Sequence, residues 1–427
     1  MKVSDLIGMK DVMFNLFNTA GWRDKFFYLF KVEIVPYSSN VLTIYYITSN
    51  NTIAYGNFHK DVDVAISTAD EAALIRGRDI VMKNLWRTFN FYQGMIGSDP
   101  EMFVTNKDGV LIPAFDFLGS KKEPYKYANK FGHTNNVYWD GYQAEYDTNP
   151  NGCLGWHTDS IQGGMVGILD AAKKKFPDAK LSLRTVFDIP EDRLANDAEE
   201  HVSFGCMPSL NAYGMSGIKG HGRVVGFRST GGHIHLGMGK KTEEQAIPIV
   251  KALDMVLGVA GVSMFAKYDD PRRRTMYGLA GEYRLPPHGI EYRVLSNAWM
   301  CHPLATNIVF DLARTVAANA DYILKHWAAT QEEVIEVINL CDVEKARAIL
   351  KKNEVLFHML LMVRYVNETK AKVAANVMIN GIESAVIDPE NIELNWRITG
   401  PREYYNHSSE LDVAHLASTL VKGEKVA

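Results

Sequence analysis

Four short segments in the middle of the chain set reactive side chains two residues apart, and this spacing constrains the fold more than any other feature. They are Gly97-Ser98-Asp99-Pro100-Glu101-Met102-Phe103-Val104, Asp140-Gly141-Tyr142-Gln143-Ala144-Glu145-Tyr146-Asp147, Gly231-Gly232-His233-Ile234-His235-Leu236-Gly237 and Gly289-Ile290-Glu291-Tyr292-Arg293-Val294-Leu295. In an extended strand, side chains at i and i+2 share a face and i+1 points away. Asp99 and Glu101 then share a face, as do Gln143, Glu145 and Asp147, the imidazoles of His233 and His235, and Glu291 with Arg293. A merely solvated sheet face generally carries Lys, Thr, Ser and Glu. These four carry carboxylate, imidazole and guanidinium, and glycine flanks three of them tightly, as close backbone approach or sharp bends require. They read as strands facing one shared site. Pro100 cannot donate to a central ladder, which predicts a strand edge or bulge beside Asp99.

Carboxylates gathered in this way raise one another's pKa unless a cation intervenes. Hard divalent cations prefer oxygen ligands, and magnesium is commonly held by a few carboxylates together with substrate phosphates. Manganese tolerates an imidazole more readily. This donor set points to magnesium or manganese handling phosphate and away from a structural zinc. Arginines supply the complementary half, because guanidinium binds phosphate oxygens bidentately and keeps its charge. Arg272, Arg273 and Arg274 follow Asp269-Asp270-Pro271, Arg284 follows Gly281-Glu282-Tyr283, and Arg223 and Arg228 lie just before the histidines. The plainer reading of Arg272–Arg274 is an exposed turn paired with Asp269 and Asp270.

Around this centre the 427 residues are enough for two or three domains and a large core. Residues 1–92 read as an α/β block, with a strand pair at Phe27–Ile34 and Val41–Ile47 around the turn Pro36–Asn40. A helix follows, capped at Ser67 and running to about Trp86. The block has no concentration of reactive groups, so its expected role is structural or partner-binding. Residues 93–305 hold the chemistry, in short strand-like runs alternating with loops. Residues 306–427 read as a helical region packing on the core, with helices at Leu304–Trp327, Gln331–Leu340 and Val343–Tyr365 and a polar tail. The formal charge of −4 gives no reason to expect nucleic acid. No apolar run reads as long enough to span a bilayer, and Cys153, Cys206, Cys301 and Cys341 lack paired spacing. A soluble cytoplasmic protein with reduced thiols is the expectation.

With these residues in place, the sequence resembles the phage-type carboxylate–amine ligases (amidoligases of type 2) of the glutamine synthetase-like superfamily. The four strands carry the resemblance, together with Phe204-Gly205-Cys206-x-Pro208…Asn211-Ala212-Tyr213 and Arg273-Arg274…Tyr277-Gly278…Ala280-Gly281-Glu282-Tyr283-Arg284, in family order over roughly residues 94 to 300. Met207 and Ser209 stand where the family carries acids. The resemblance implies an α+β fold whose catalytic core is a glutamine synthetase-like antiparallel sheet. It implies that Asp99, Glu101, Glu145, His233 and Glu291 hold the metal, two magnesium or manganese ions in all. His235 would face the nucleotide phosphates or the reacting carboxylate. Arg293, with Arg274 and Arg284, would meet the transferring phosphoryl group.

The implied activity is ATP-dependent joining of a carboxylate to an amine through an acyl phosphate, in modification of a peptide or protein. In a phage-encoded protein the location would be the host cytoplasm. The chemistry is phosphoryl transfer, where catalysis is mostly positioning and charge neutralisation. The Gly214–Gly226 stretch, with His221 and Arg223, is the candidate loop to cover the site. Gln143 and Asp147 are open candidates to take the amine's proton, and an oligomer is compatible with the sequence. Two other classes stand beside this reading. One is a non-catalytic nucleotide-binding or virion-associated structural protein of the same fold. The other is a cupin-like metalloenzyme built on His233 and His235, although no glutamate follows at the usual distance.

Overall fold

The computed structural model describes residues 1–9, 12–16, 26–34, 40–47, 53–68, 70–84, 90, 92, 94–128, 134–152, 154–202, 209–215, 226–362, 368–385, 388 and 390–398. It divides into two compact units, Met1–Phe89 and Asn90–Ala427.

In the first unit, apolar and β-branched stretches form β1 (Met13–Leu16), β2 (Phe27–Ile34), β3 (Val41–Ile47), β4 (Ile53–His59) and β5 (Val64–Ser67). They make one antiparallel sheet in the order β4-β3-β2-β1-β5. The period-two pattern buries Phe14, Leu29, Leu42 and Ile44 with Val3 and Leu6 on one face. Helix α1 (Glu71–Asn84) sets Leu74 against Met13, Tyr28 and Ile47. The helix starts later than Ser67, because Asp70 is its cap: the Ala73 N–H donates to Asp70 Oδ1 at 2.8 Å. The expected turn at Pro36–Asn40 and the helix end near Trp86 fall largely outside the described residues.

The second unit is organised by one long strand, β6 (Met95–Thr105), which pairs at its far end with β7 (Leu111–Ile112). The chain continues through β8 (Tyr125–Ala128), β9 (Thr134–Asp140), β10 (Gln143–Asp147), α2 (Leu154–Lys173), β11 (Lys180–Ser182), β12 (Val186–Asp188), α3 (Glu191–Asn196), α4 (Glu199–Val202), β13 (Leu210–Asn211), β14 (Phe227–Ser229) and β15 (Gly232–Gly237). Then come α5 (Glu243–Leu253), α6 (Val259–Phe265), β16 (Glu282–Arg284) and β17 (Gly289–Tyr292). The main sheet has ten strands, with the path β13-β16-β17-β15-β6-β10-β9-β8 and β7 and β11 attached to β6. Its described pairs are antiparallel. The path runs open from β13 to β8, unlike the closed barrel of the cupin-like alternative.

One face of this sheet is the core. Met102, Ala144, Tyr146, Ile234, Leu236, Ile290 and Tyr292 are all fully buried. Each such large side chain contributes roughly 1.5–3 kcal/mol by leaving water. Helix α2 packs here, taking the Tyr146 hydroxyl on the Ile161 carbonyl at 3.2 Å. Helices α5 and α6, joined by a single π-helical stretch at Asp254–Gly258, form a rod beneath β17. This rod, Glu243–Phe265, is long and apolar enough by composition to cross a bilayer, contrary to the expectation, but 78% of its apolar window is buried inside the fold. Its burial marks it as the core helix of the unit. Neither this rod nor α2 was expected in a region read as strands and loops.

Helices α7 (Pro303–Ala318), α8 (Ala320–His326), α9 (Gln331–Leu340), α10 (Val343–Lys352), α11 (Glu354–Met362), α12 (Glu368–Asn380) and α13 (Ile392–Asn395) complete the unit. The two long helices expected there break at Asn319 and Asn353. Each of these side chains hydrogen-bonds a carbonyl four residues back, Thr315 O at 2.7 Å and Ile349 O at 2.9 Å, and so competes with the helical backbone.

Pro100 lies in the middle of the sheet, not at an edge, since β6 is flanked by β15 and β10. It is tolerated because the regular β10 ladder meets β6 only at Glu101 and Met102. On that side the Ser98 N–H donates to the Thr148 hydroxyl at 2.7 Å instead of to a strand.

Candidate active site

The opposite face carries the reactive residues, and register brings them together. Antiparallel partners point to the same side. On β17 and β15, Glu291 faces His235; on β15 and β6, His233 faces Asp99. On β6 and β10, Glu101 faces Glu145, which in turn faces Tyr138 of β9. Arg284 of β16 faces Glu291. The four predicted strands are therefore consecutive in the sheet, in the order β17-β15-β6-β10.

Within this face the donor atoms form two groups, each spanning no more than 4.8 Å: Asp99 with His235 and Glu291, and Glu101 with Asp140 and Glu145. His235 Nε2 lies 3.0 Å from Asp99 Oδ1. His233, expected to be a ligand, sits deeper: its Nδ1 is 3.6 Å from both Asp99 Oδ1 and Glu291 Oε1, and Arg293 Nη1 is 3.4 Å from it. Both imidazoles therefore lie beside these carboxylates, His235 as the partner within the compact group and His233 buried beneath it. Arg293 donates to Glu291 Oε1 and lies over the Tyr277 ring at 5.6 Å. Arg284 Nη1 reaches the same Glu291 oxygen at 3.4 Å.

Arg274 is elsewhere. Its guanidinium donates to Ile338 O, Val294 O and Asp269 at 3.2, 2.9 and 3.0 Å. Arg273 likewise binds the carbonyls of Thr230, Val294 and Leu295. Arg273 ties the entry of β15 to the exit of β17, Arg274 ties that exit to Ile338 of α9, and neither joins either group. Arg272 is half exposed and pairs with Asp270 and Asp188.

Several residues of the site were not singled out in the sequence. Asp140 ends β9 and faces Gln143 across the two-residue turn Gly141-Tyr142, where Gly141 takes φ +64°. Tyr277 donates to Glu101 Oε2 at 2.7 Å, as does the Gly231 N–H. Asn297 donates to the Glu101 carbonyl at 2.9 Å. Lys121 Nζ lies 3.7 Å from Glu145 and 3.6 Å from Asp147, and donates to the Tyr138 hydroxyl at 2.7 Å. Of the two open candidates for the amine's proton, Gln143 is buried with its amide on Ser229 O, whereas Asp147 is half exposed. Met207, His221 and Arg223 lie outside the described residues. Cys301 and Cys341 are free thiols.

The electrostatics of the two groups differ. Burial pushes Asp99 up, but the His233 and His235 imidazoles outweigh it and hold the carboxyl well below its ordinary range. Burial acts on Glu291 in the same way and is outweighed by Arg293 and His233. In the other group nothing wins against burial. Glu101 is pushed up to about 7 by burial and by Asp140, and Glu145 well upward by burial and by Asp140, Asp99 and Glu101. Asp140 is raised by burial against the pull of Arg228. Three carboxylates that repel in this way fit a divalent cation among them. The Asp99 group, two carboxylates and an imidazole, fits one that accepts nitrogen as well as oxygen.

Residues 213–398 match the profile of a family described as phage phiEco32-like COOH·NH2 ligase-type 2. The match covers less than half of the chain, which over that segment is similar to this ligase family. The family is one of carbon–nitrogen bond-forming ligases. The matched segment includes His233, His235, Arg284, Glu291 and Arg293 and runs on through the helices to 398, beyond the span expected from sequence. Asp99, Glu101, Asp140 and Glu145 precede it and meet the matched residues on the same face through the sheet. No curated protein matches the sequence. Among solved structures, the chain aligns with a bifunctional glutathione synthetase from Pasteurella multocida at a TM-score of 0.40 and 12% identity. The alignment covers 81% of this chain and 57% of that one, so the chain spans little more than half of that protein's length. At that score the likeness is too distant to assign anything to this chain.

Proposed function

We propose that the protein is an ATP-dependent ligase that joins a carboxylate to an amine through an acyl phosphate, at the face built by β17, β15, β6 and β10. The observation that carries this is the pair of donor triads, Asp99–His235–Glu291 and Glu101–Asp140–Glu145, side by side on one sheet. The activity follows the ligase family. The triads supply what ATP-dependent activation of an acid requires, a place for divalent cations that neutralise phosphate oxygens. Two ions, magnesium or manganese, correspond to two triads. Both triads come from one chain.

The acid's oxygen attacks the γ-phosphorus of ATP and ADP leaves. The amine then attacks the acyl carbon, phosphate departs with the carbon–oxygen bond, and the nitrogen loses a proton. Arg293 and Arg284, the guanidinium groups beside Glu291, stand where charge on the transferring phosphoryl group can be met. Glu291 orients Arg293, while Tyr277, Gly231 and Asn297 fix Glu101. Arg274, with its donors engaged elsewhere, braces the exit of β17 against α9. The substrates we favour are a peptide or protein and a small amine or acid, in the cytoplasm where ATP and magnesium are at hand.

The test is purified protein with ATP, magnesium and candidate acids in hydroxylamine, which intercepts an acyl phosphate as a hydroxamate. The expected result is ADP release that depends on acid and magnesium and is lost in Glu291→Ala. Absence of nucleotide binding, or Glu291→Ala behaving as wild type, would overturn the reading.

A further inference from the structure

The turn Pro286-Pro287-His288-Gly289 has no part in the reaction as described, yet it delivers a side chain to the site. The Met238 and Gly239 N–H groups both donate to the His288 carbonyl at 3.0 Å, so the end of β15 grips the turn. Gly289, at φ +152°, must be glycine there, because a Cβ would lie 2.0 Å from the Leu236 carbonyl oxygen. This close approach sets the His288 ring beside His235, with centroids 5.2 Å apart. His288 Nε2 lies 3.0 Å from His235 Nδ1, while His235 Nε2 faces Asp99 at 3.0 Å. Asp99, His235 and His288 thus form a hydrogen-bonded row leading out of the Asp99–His235–Glu291 triad to an exposed imidazole.

We infer that His288 is a positioning residue that fixes the tautomer of His235 and so makes its Nε2 a cation ligand. The inference rests on the reading that this triad holds a divalent ion. An imidazole ligates through a lone pair, so a cation at Nε2 requires the ring proton on Nδ1, and that proton needs an acceptor. His288 Nε2 is that acceptor. Without a cation, the His235 Nε2–H donates to Asp99 and the His288 Nε2–H donates to His235 Nδ1. When a cation enters, the Nε2 proton of His235 goes to solvent and the His288 Nε2 proton moves to His235 Nδ1. Exposed His288 regains one proton from solvent on its own Nδ1. The two rings gain and lose no net proton. A partner able only to donate or only to accept would favour one of the two states.

The experiment is manganese titration of the full chain by electron paramagnetic resonance, with electron spin echo detection of nitrogen-14 coupled to the bound ion. Wild type is expected to bind manganese with one imidazole coupling that His235→Ala removes. His288→Ala should bind about 10–100-fold more weakly, with the coupling diminished. His288→Gln, whose amide both donates and accepts, should restore both. Wild-type affinity and coupling in His288→Ala would overturn the inference, as would a loss that glutamine does not repair. If wild type itself binds no manganese, the triad reading fails with it, and that failure shows in the first titration before any variant is made.

Discussion

The two triads face the same way a strand apart, but they are built on opposite electrostatic plans. Asp99 and Glu291 arrive with partners that favour their ionised forms: the His233 and His235 imidazoles for one, Arg293 and His233 for the other. Glu101, Asp140 and Glu145 are pushed upward together by burial and by one another. One group is held ionised before any ligand enters, whereas in the other burial and mutual repulsion disfavour the ionised forms until a cation is present. The first is therefore expected to orient partners around an ion, and the second to bind an ion because the fold needs it.

The anchors beneath the two triads differ as well. Under the first, Tyr292 donates to buried Asp254 at 2.6 Å; under the second, Tyr146 donates to a backbone carbonyl that does not titrate. Of these two tyrosine anchors, only the first ends on a titratable group.

The largest expected effect is on turnover. Glu291→Ala and Asp140→Asn should each lower kcat/KM by about 10²–10³, measured as ADP release. High magnesium should recover part of the loss in Asp140→Asn, which lacks only a ligand. It should recover none in Glu291→Ala, where Arg293 has lost its orienting partner. Equal magnesium dependence in both variants would break the distinction between the triads.

A smaller effect is predicted on stability against pH. Burial pushes Asp254 up to about 7. Below about pH 4 the group is protonated in both folded and unfolded chains. Between there and pH 7 only the unfolded chain ionises, so stability is greatest in acid and falls as pH rises through 7. The loss is on the order of a few kcal/mol, read by urea unfolding at pH 5 and pH 8. Asp254→Asn should reduce that slope and leave the part due to Glu101, also pushed up to about 7, whereas Tyr146→Phe should leave it unchanged.

The smallest effect is a contrast of sign without divalent cations. Asp140→Asn removes repulsion and should raise Tm by about 1–3 °C. Glu291→Gln strips Arg293 and Arg284 of their carboxylate and should lower it by a similar amount. Shifts of the same sign in a thermal melt would show that the two groups are electrostatically alike.

The sheet face was legible in the sequence because its signal is local: acids or imidazoles two apart, glycine beside them, and apolar residues between. Asp140 escaped because Asp-Gly reads as a turn, although parity across a two-residue turn places it beside Gln143. Tyr277 and Asn297 reach Glu101 from far along the chain, and no local pattern announces such contacts. Arg274 shows the converse limit. A guanidinium after a proline turn has the same sequence signature whether it meets phosphate or carbonyls, and only the packing of β17 against α9 decides. The helices α2 and α6 were missed because burial on nearly every side removes the polar side of their periodicity, and α5 because its polar side is confined mainly to the first turn, residues 243–245.

The most direct test is a crystal structure with a non-hydrolysable ATP analogue and manganese, located by anomalous scattering. Two manganese peaks are expected, one within Asp99, His235 and Glu291 and one within Glu101, Asp140 and Glu145, with Arg293 at the γ-phosphate. Nucleotide bound elsewhere, with neither triad holding an ion, would contradict a two-ion site on this face.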